Sequence, residues 1–322
     1  MSSTPQIVFP LVTSASATNP FCYTPETQFA TKKTASPVYT AVAITSDVTP
    51  SIDGVPIPVP IAGSHYKYQI AAGGHNYGFS LNLHPLNIAF LKYGTEAPNY
   101  TTPAGTSAES LQFLMQYQQA LGTASYNTVF MFFLGARPVT TNIAISAQGL
   151  VECSMEWKCR EITVPITTAN GGLTTPTIPT YASITGPVFQ DSDAPQKPFI
   201  YNGTGYAVNN FTINWNNNTS AEAFNGSDLV DAVTIGGIDI TGSFTTPVGQ
   251  DLLMETAMAA ESPIGVDCSY TVKAGAMVIN IKGMILTADD RPFAGTPTET
   301  MKHTYSFTAT KASLGTTIQV LP

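Results

Sequence analysis

From Leu150 to Ile162 the chain reads LVECSMEWKCREI, and for ten residues hydrophobic and polar side chains alternate without a slip. Val151, Cys153, Met155, Trp157 and Cys159 share one register; Glu152, Ser154, Glu156, Lys158 and Arg160 share the other. A period of two puts the sets on opposite faces of a pleated strand. The segment therefore predicts a strand with one packed face and one charged, wet face, longer than the usual run of about 5–6 residues. Strand patterns also occur at 39–44 (YTAVAI), 64–70 (SHYKYQI), 78–84 (GFSLNLH), 127–134 and 139–147. They return at 208–215 (VNNFTINW, with Phe211, Ile213 and Trp215 facing one way), 231–235, 238–244, 266–274, 276–287 and 301–311.

Helical spacing predicts three helices. Leu86, Ala89, Phe90 and Tyr93 form an apolar stripe between Pro85 and Gly94, good start and stop residues. A second helix is expected over 107–121, with Thr106 and Glu109 as a capping box, Gly122 as C-cap, and Leu111, Leu114, Met115 and Leu121 on one face. A third is expected over 250–260, burying Leu253, Ala257 and Ala260 ahead of Pro263.

The order of these segments repeats. A strand, a glycine-led strand ending in proline, a helix and long strands occur in each half, with Gly78 answering Gly242 and Pro85 answering Pro247. The expected organisation is an N-terminal arm at 1–25, a first β domain at 26–165 with a helical insertion at 95–125, a Thr/Pro/Gly-rich linker or long loop at 166–199, and a second β domain at 200–322.

Composition narrows the function. Charged residues make up 11% of the 322 positions, against about 25% in an average globular protein. Such a surface is either hidden in an assembly or is an exposed, hydroxyl-rich β surface. The formal net charge is −8, with 7 basic and 8 acidic residues through Pro165 and 6 basic and 13 acidic beyond it. Without basic runs, the chain is a poor grip for phosphates. Cys153 and Cys159 lie too far apart along one strand to pair, at about 3.3 Å per residue. Reduced core thiols are expected, with a disulfide involving Cys22 or Cys268 left open. The opening MSSTPQIVFPLVT lacks the basic segment of a signal peptide, and no apolar run approaches the ~18 residues that span a membrane.

Catalytic vocabulary is sparse. His65, His75, His84 and His303 have no partner at metal-ligand spacing. No phosphate-binding or nucleophile-elbow motif occurs. Asp289, Asp290 and Arg291 before Pro292 form either an acid cluster or a polar turn. Glu152 and Glu156 share a strand face as a hydrolase pair would, but Lys158 and Arg160 on that face make a mixed-charge wall the better reading. No catalytic residue, cofactor or metal is expected.

At Phe133 to Trp157, FLGARPVTTNIAISAQGLVECSMEW, the chain resembles the major tail (tail tube) proteins of tailed phages. The second half carries another recurring stretch, VNNFTINWNNNT at Val208 to Thr219 followed by IDITGSF at Ile238 to Phe244. The resemblance spans roughly 35–165 and 200–312. It implies a mainly β fold of two tandem antiparallel β-sandwich or half-barrel domains, each with a packed helix. It implies a virion tail protein, assembled in the host cytoplasm, that stacks as rings into a hollow tube. Single-domain members form hexameric rings, so a duplicated chain would need three copies. The expected partners are further copies of itself, tape-measure, tail-terminator and baseplate or tip proteins, and duplex DNA in transit, with no membrane. Glu152, Glu156, Lys158 and Arg160 are the expected lumen-facing residues. The competing reading is a tandem β-sandwich lectin, adhesin or capsid-decoration protein with Tyr66, Tyr68 and Tyr77 as an aromatic platform.

Overall fold

The computed structural model describes residues 7–8, 21–26, 28–31, 38–44, 48–54, 57–60, 68–71, 75–86, 88–96, 110–120, 126–163, 179, 188–222, 232–248, 252–259, 264–290 and 301–319. The first half contributes β1 (Ile7–Val8), β2 (Phe21–Glu26), β3 (Thr40–Ala41), β4 (Thr49–Gly54), β5 (Ile57–Pro60), β6 (Tyr68–Ala71), β7 (His75–Leu83), α1 (Ala89–Thr95), β8 (Ser110–Ala120), β9 (Tyr126–Ser146), β10 (Val151–Cys159) and β11 (Glu161–Ile162). The second contributes β12 (Phe199–Tyr201), β13 (Thr204–Tyr206), β14 (Asn210–Asn216), β15 (Ser220–Glu222), β16 (Ala232–Thr234), β17 (Asp239–Pro247), α2 (Leu252–Met258), β18 (Val266–Lys273), β19 (Met277–Asp290), β20 (Lys302–Ala309) and β21 (Lys311–Gly315). The fold is mainly β, as the alternation predicts, and sandwich-like, as the resemblance implies.

Eight strands form one antiparallel ladder in the order β4–β7–β10–β9–β14–β17–β20–β19. One face of the ladder is apolar and buried, with Phe79, Leu81, Met155, Trp157, Ile143, Ile145, Phe211, Ile213, Trp215, Phe244, Tyr305 and Phe307 across its width. Second layers cover that face. Residues 126–136 of β9 turn away from the ladder to pair with β8, which pairs with β2. Residues 277–284 of β19 turn away likewise to pair with β18, which pairs with β12. Aromatic rings join the layers: Phe79 meets Phe21, Phe113 and Phe133, while Phe199 meets Phe244 and Phe211 stacks on Tyr270. A single apolar cluster runs through both halves.

Each turn away is made at a glycine in the left-handed region, Gly135 at φ +63° and Gly283 at φ +59°, which other residues enter only at a cost. In each case a carboxylate accepts from the amide of the bending glycine. Gly135 N–H donates to Glu26 Oε1 at 3.2 Å, and Gly283 N–H donates to Asp267 Oδ1 at 3.0 Å.

The pairings of β2 to β11 recur in the same order in β12 to β21, hairpins β5–β6 and β15–β16 included. The registers match residue by residue. Trp157 stands opposite Phe79 and Pro138, as Phe307 stands opposite Gly242 and Leu286. One strand further out, Pro50 and Ile52 correspond to Ile213 and Trp215. Phe21-Cys22-Tyr23 corresponds to Phe199-Ile200-Tyr201, a shared Phe-x-Tyr. Gly78 and Gly242 do not correspond. Gly78 lies opposite Lys158 on the polar face, whereas Gly242 lies on the apolar face, where a Cβ would strike the Phe307 ring and Thr212 O.

Several expectations are corrected. Within 107–121, residues 110–120 are strand β8, not a helix, so they belong to the sheet rather than to a helical insertion at 95–125. Leu111, Phe113 and Met115 face the main core, and Leu114 faces a second cluster with Cys22, Tyr39 and Phe132. A strand covered on both faces shows no alternation. Within the 1–25 arm, Phe21 to Pro25 begin strand β2, and Phe21, Cys22 and Tyr23 are buried. The strands expected at 127–134 and 139–147 are one 21-residue strand, because Gly135 bends it without ending it and Pro138 sits where the ladder skips a residue. Helix α1 starts at Ala89 and includes Gly94, whose missing Cβ makes room for Thr141 and Met155 side chains. In α2, Ala257 packs against the core as predicted, but Met254 takes the buried position expected of Leu253, which is 46% exposed; Ala260 lies outside the described residues. The linker expected at 166–199 ends in the 3-10 turn Asp191–Asp193 and the first residue of β12; 164–178 and 180–187 lie outside the described residues.

Candidate assembly surface

The ladder's second face is polar from edge to edge. Ser80 and Asn82 of β7, Ser154 of β10, Thr140 and Asn142 of β9, Asn214 of β14, Ser243 of β17 and Ser306 of β20 lie on it, all exposed or half-buried. Hydroxyls bond across strands, Thr212 with Ser243 at 2.9 Å and Thr245 with Thr304 at 3.0 Å. Short uncharged side chains dominate. Asp53, Glu152, Glu156, Asp239 and Asp290 carry negative charge there, against Arg137, Lys158 and Lys302.

The two halves meet along β9 and β14, which pair from Ser146↔Asn210 to Thr140↔Asn216. This internal seam is closed on its apolar side. Trp215 is fully buried and its indole N–H donates to Ala312 O at 3.3 Å. Asn217 Nδ2 donates to Gly94 O at 3.1 Å, tying β14's end to α1. Helix α1 lies against β21 of the other half, where Glu96 is held by Lys92 at 3.7 Å and faces Lys311. Burial raises the Glu96 carboxyl above its ordinary range; Lys92, the Leu314 backbone and Lys311 oppose that shift.

At the ladder's two margins, β4 and residues 285–290 of β19 each pair on one side among the described residues. Ile52 points to the apolar side of β4 and is 53% exposed. Open strand edges are templates for pairing with another chain.

The four residues predicted for the lumen separate. Glu152 and Glu156 are exposed on the polar face. Lys158 shares that face, but its Nζ donates to Thr219 O at 2.8 Å and it is half-buried. Arg160 lies past the end of β10, where the chain crosses to β11, and its Nε is buried without a hydrogen-bond partner among the described residues. Asp53 and Ile52 are surface residues that the sequence did not single out, and Asp290, read there as part of an acid cluster or a polar turn, ends strand β19; only the ladder order reveals all three as marginal.

The four cysteines are free and buried. Burial pushes the Cys268 thiol up to about 12 and drives Cys22, Cys153 and Cys159 upward as well. His303 lies 3.7 Å from Glu255, and His84 Nδ1 lies 3.0 Å from Val151 O. Among the described residues, no three His, Cys, Asp or Glu side chains gather to hold a metal ion, and no helix is long and apolar enough to cross a membrane. Tyr77 of the proposed aromatic platform is half-buried on the apolar side beside His75; Tyr66 lies outside the described residues.

No curated protein matches the chain. The family model for phage tail tube protein matches residues 60–309, which takes in the ladder from β7 to β20 and both helices. The chain belongs to the phage tail tube protein family and is a structural protein of the virion tail.

Proposed function

We propose that three copies of this chain close into a ring and that rings stack into the tube through which genomic DNA leaves the virion. The internal seam carries this reading. It is a complete junction between two like modules, built from β9 of one and β14 of the next. The margins left over are the counterparts of those same strands: β4 corresponds to β14, and 285–290 of β19 to the end of β9. Strand directions alternate along the ladder, so β19 of one copy meets β4 of the next antiparallel, as β9 meets β14.

Repeating the junction three times gives a barrel of about 24 strands, roughly 40 Å across at about 4.8 Å per strand. The apolar face carries the second layers and helices, which fit only outside such a barrel. The polar face is left to line the bore. Glu152 and Glu156 project from it, with Lys158 tied back to Thr219. The excess carboxylate repels phosphates, and the short hydroxyls and amides add no positive charge to hold them. In this reading the chain is two tube domains, one holding β2 to β11 and the other β12 to β21, and it meets tape-measure, terminator and baseplate or tip proteins at the tube's interior and ends. Host cytoplasmic assembly follows from the same reading.

Purified, concentrated protein should form hollow fibres of uniform width in negative stain, with three copies per ring by mass measurement. Compact particles of one copy at every concentration and salt tested would reject the ring.

A further inference from the structure

The internal seam and the open margins differ in charge. Because the registers correspond residue by residue, the internal seam predicts how the margins meet. Asn216↔Thr140, Trp215↔Thr141 and Asn214↔Asn142 become Asp53↔Ala288, Ile52↔Asp289 and Ser51↔Asp290 between copies. Where the internal seam has Asn216 and Asn142, the margins have Asp53 and Asp290. Each amide has been replaced by the acid of the same shape. Thr141 likewise gives way to Asp289. In this register Asp53 of one copy and Asp290 of the next are diagonal neighbours on the polar face, about 7–8 Å apart at Cα. Ser51 donates to Asp53 Oδ2 at 2.8 Å within its own copy; Arg291, next along the chain, lies outside the described residues.

We infer that the seam between copies is an Asp53–Asp290 strand junction whose closure requires cations to screen it, whereas the Asn216–Asn142 seam inside each chain closes regardless of salt. The inference rests on the ring reading above and adds what governs it. Like charges on neighbouring strands oppose pairing. At low ionic strength the repulsion reaches about 30 Å at 0.01 M salt and shrinks to about 10 Å at 0.1 M. A chain with such margins stays dispersed when salt is low and joins when cations crowd the seam.

The test is assembly of the full chain over a salt series, followed by sedimentation velocity and negative stain. Wild type should pass from single copies to rings as sodium chloride rises. The D53N/D290N variant, which installs the internal seam's own amides, should reach half-assembly at a salt concentration lower by about five-fold or more. Glu152→Gln removes a charge from the same face away from the seam and should leave the midpoint where it was. A D53N/D290N midpoint equal to wild type, or an equal shift in E152Q, overturns the charged-seam inference while leaving rings intact. In assembled rings of a D53C/A288C variant, oxidation should yield covalent trimers; rings that fail to cross-link refute the register. Absence of rings from wild type and variants at all salt concentrations defeats the ring reading itself.

Discussion

Trp215 and Ile52 hold the same position on corresponding strands, β14 and β4, and have opposite surroundings. Trp215 is paired with Thr141 of β9, its indole bonded to Ala312 O of β21, and none of it is exposed. Ile52 faces the same side of the same kind of strand and is 53% exposed. The backbone geometry is shared, so the difference is the neighbour. Inside the chain the adjoining module is supplied by sequence; in the proposed ring the next copy supplies it at the margin. On that proposal, an exposed hydrophobic residue whose counterpart is buried marks where the next copy would pack.

The largest effect should come from taking this comparison apart. Trp215→Ala empties a fully enclosed site, and large aromatic deletions of that kind cost about 3–5 kcal/mol. Ile52→Ala removes a side chain that already meets solvent, so folding stability should move by less than about 0.5 kcal/mol. Urea unfolding of the two variants measures both. Assembly should reverse the ranking among folded chains: I52A should weaken ring formation in sedimentation while leaving the unfolding midpoint in place. Equal stability losses at the two sites would mean that their surroundings are not as different as the burial indicates.

The two bends provide a narrower comparison. An alanine at Gly135 or Gly283 has to adopt positive φ, at about 1–2 kcal/mol. At Gly135 the new Cβ also meets the Phe29 ring at 2.8 Å and Ala30 Cβ at 3.0 Å; at Gly283 it meets Thr310 Oγ1 at 2.6 Å. Gly203 has φ +78° with nothing within 4 Å of its Cβ site. The expected order of destabilisation is G135A, then G283A, whose threonine neighbour has a rotatable side chain, then G203A at about 1 kcal/mol. Thermal or urea midpoints decide it, and a G203A loss equal to G135A would remove crowding from the explanation.

The halves also differ in thiols. Cys22, Cys153 and Cys159 belong to the first, and their counterparts Ile200, His303 and Ala309 do not ionise as thiols. The second half has Cys268, held up to about 12 by burial. Unfolded thiols ionise near 9, so above that pH the unfolded chain releases protons that the folded chain keeps. Stability therefore falls as pH rises from about 9 towards 12, by as much as about 1.4 kcal/mol per pH unit for each buried thiol. Urea titrations at pH 8 and pH 10 should show the loss, and replacing Cys153 by Ala should reduce the slope. An unchanged slope would mean that the thiols ionise freely in the fold.

Much of the sheet was legible because its ladder has one wet face. Alternation in LVECSMEWKCREI places β10, and Phe211, Ile213 and Trp215 share a face as their spacing predicts. Where both faces are covered the signal vanishes, which is why Leu111 to Met115 imitate a helix. Gly135 reads as a break because sequence gives no φ. Gly78 and Gly242 match in spacing alone: the strands slip by one residue between the halves, so the true counterparts, Phe79 and Gly242, share no chemistry. The candidate surface was half legible: Glu152 and Glu156 follow from alternation, whereas the marginal status of Asp53, Ile52 and Asp290 depends on which strands end the ladder, information carried by pairing alone.

The smallest expected effect lies at the helix that bridges the internal seam. Glu96 sits between Lys92 of its own helix and Lys311 of the other half, yet its carboxyl is shifted upward, so the cost of burial outweighs both cations. The folded chain then binds the proton more tightly than the unfolded one. Stability contributed by that proton is present at and below pH 4.5, the ordinary value, and is lost as pH rises through the raised one. Glu96→Gln keeps the shape and removes the titration, so its stability should vary less with pH between 4.5 and neutrality than wild type does. Its counterpart on α2 is Ala259, and Lys311 answers to Glu161. In the proposed ring the contacts of α2 between copies lack this group, so the pH sensitivity of Glu96 should appear in the unfolding of single chains and not in the dissociation of rings. Should ring dissociation instead follow the same window in wild type and flatten in E96Q, the helix contact would belong to the seam between molecules as well as to the one within them.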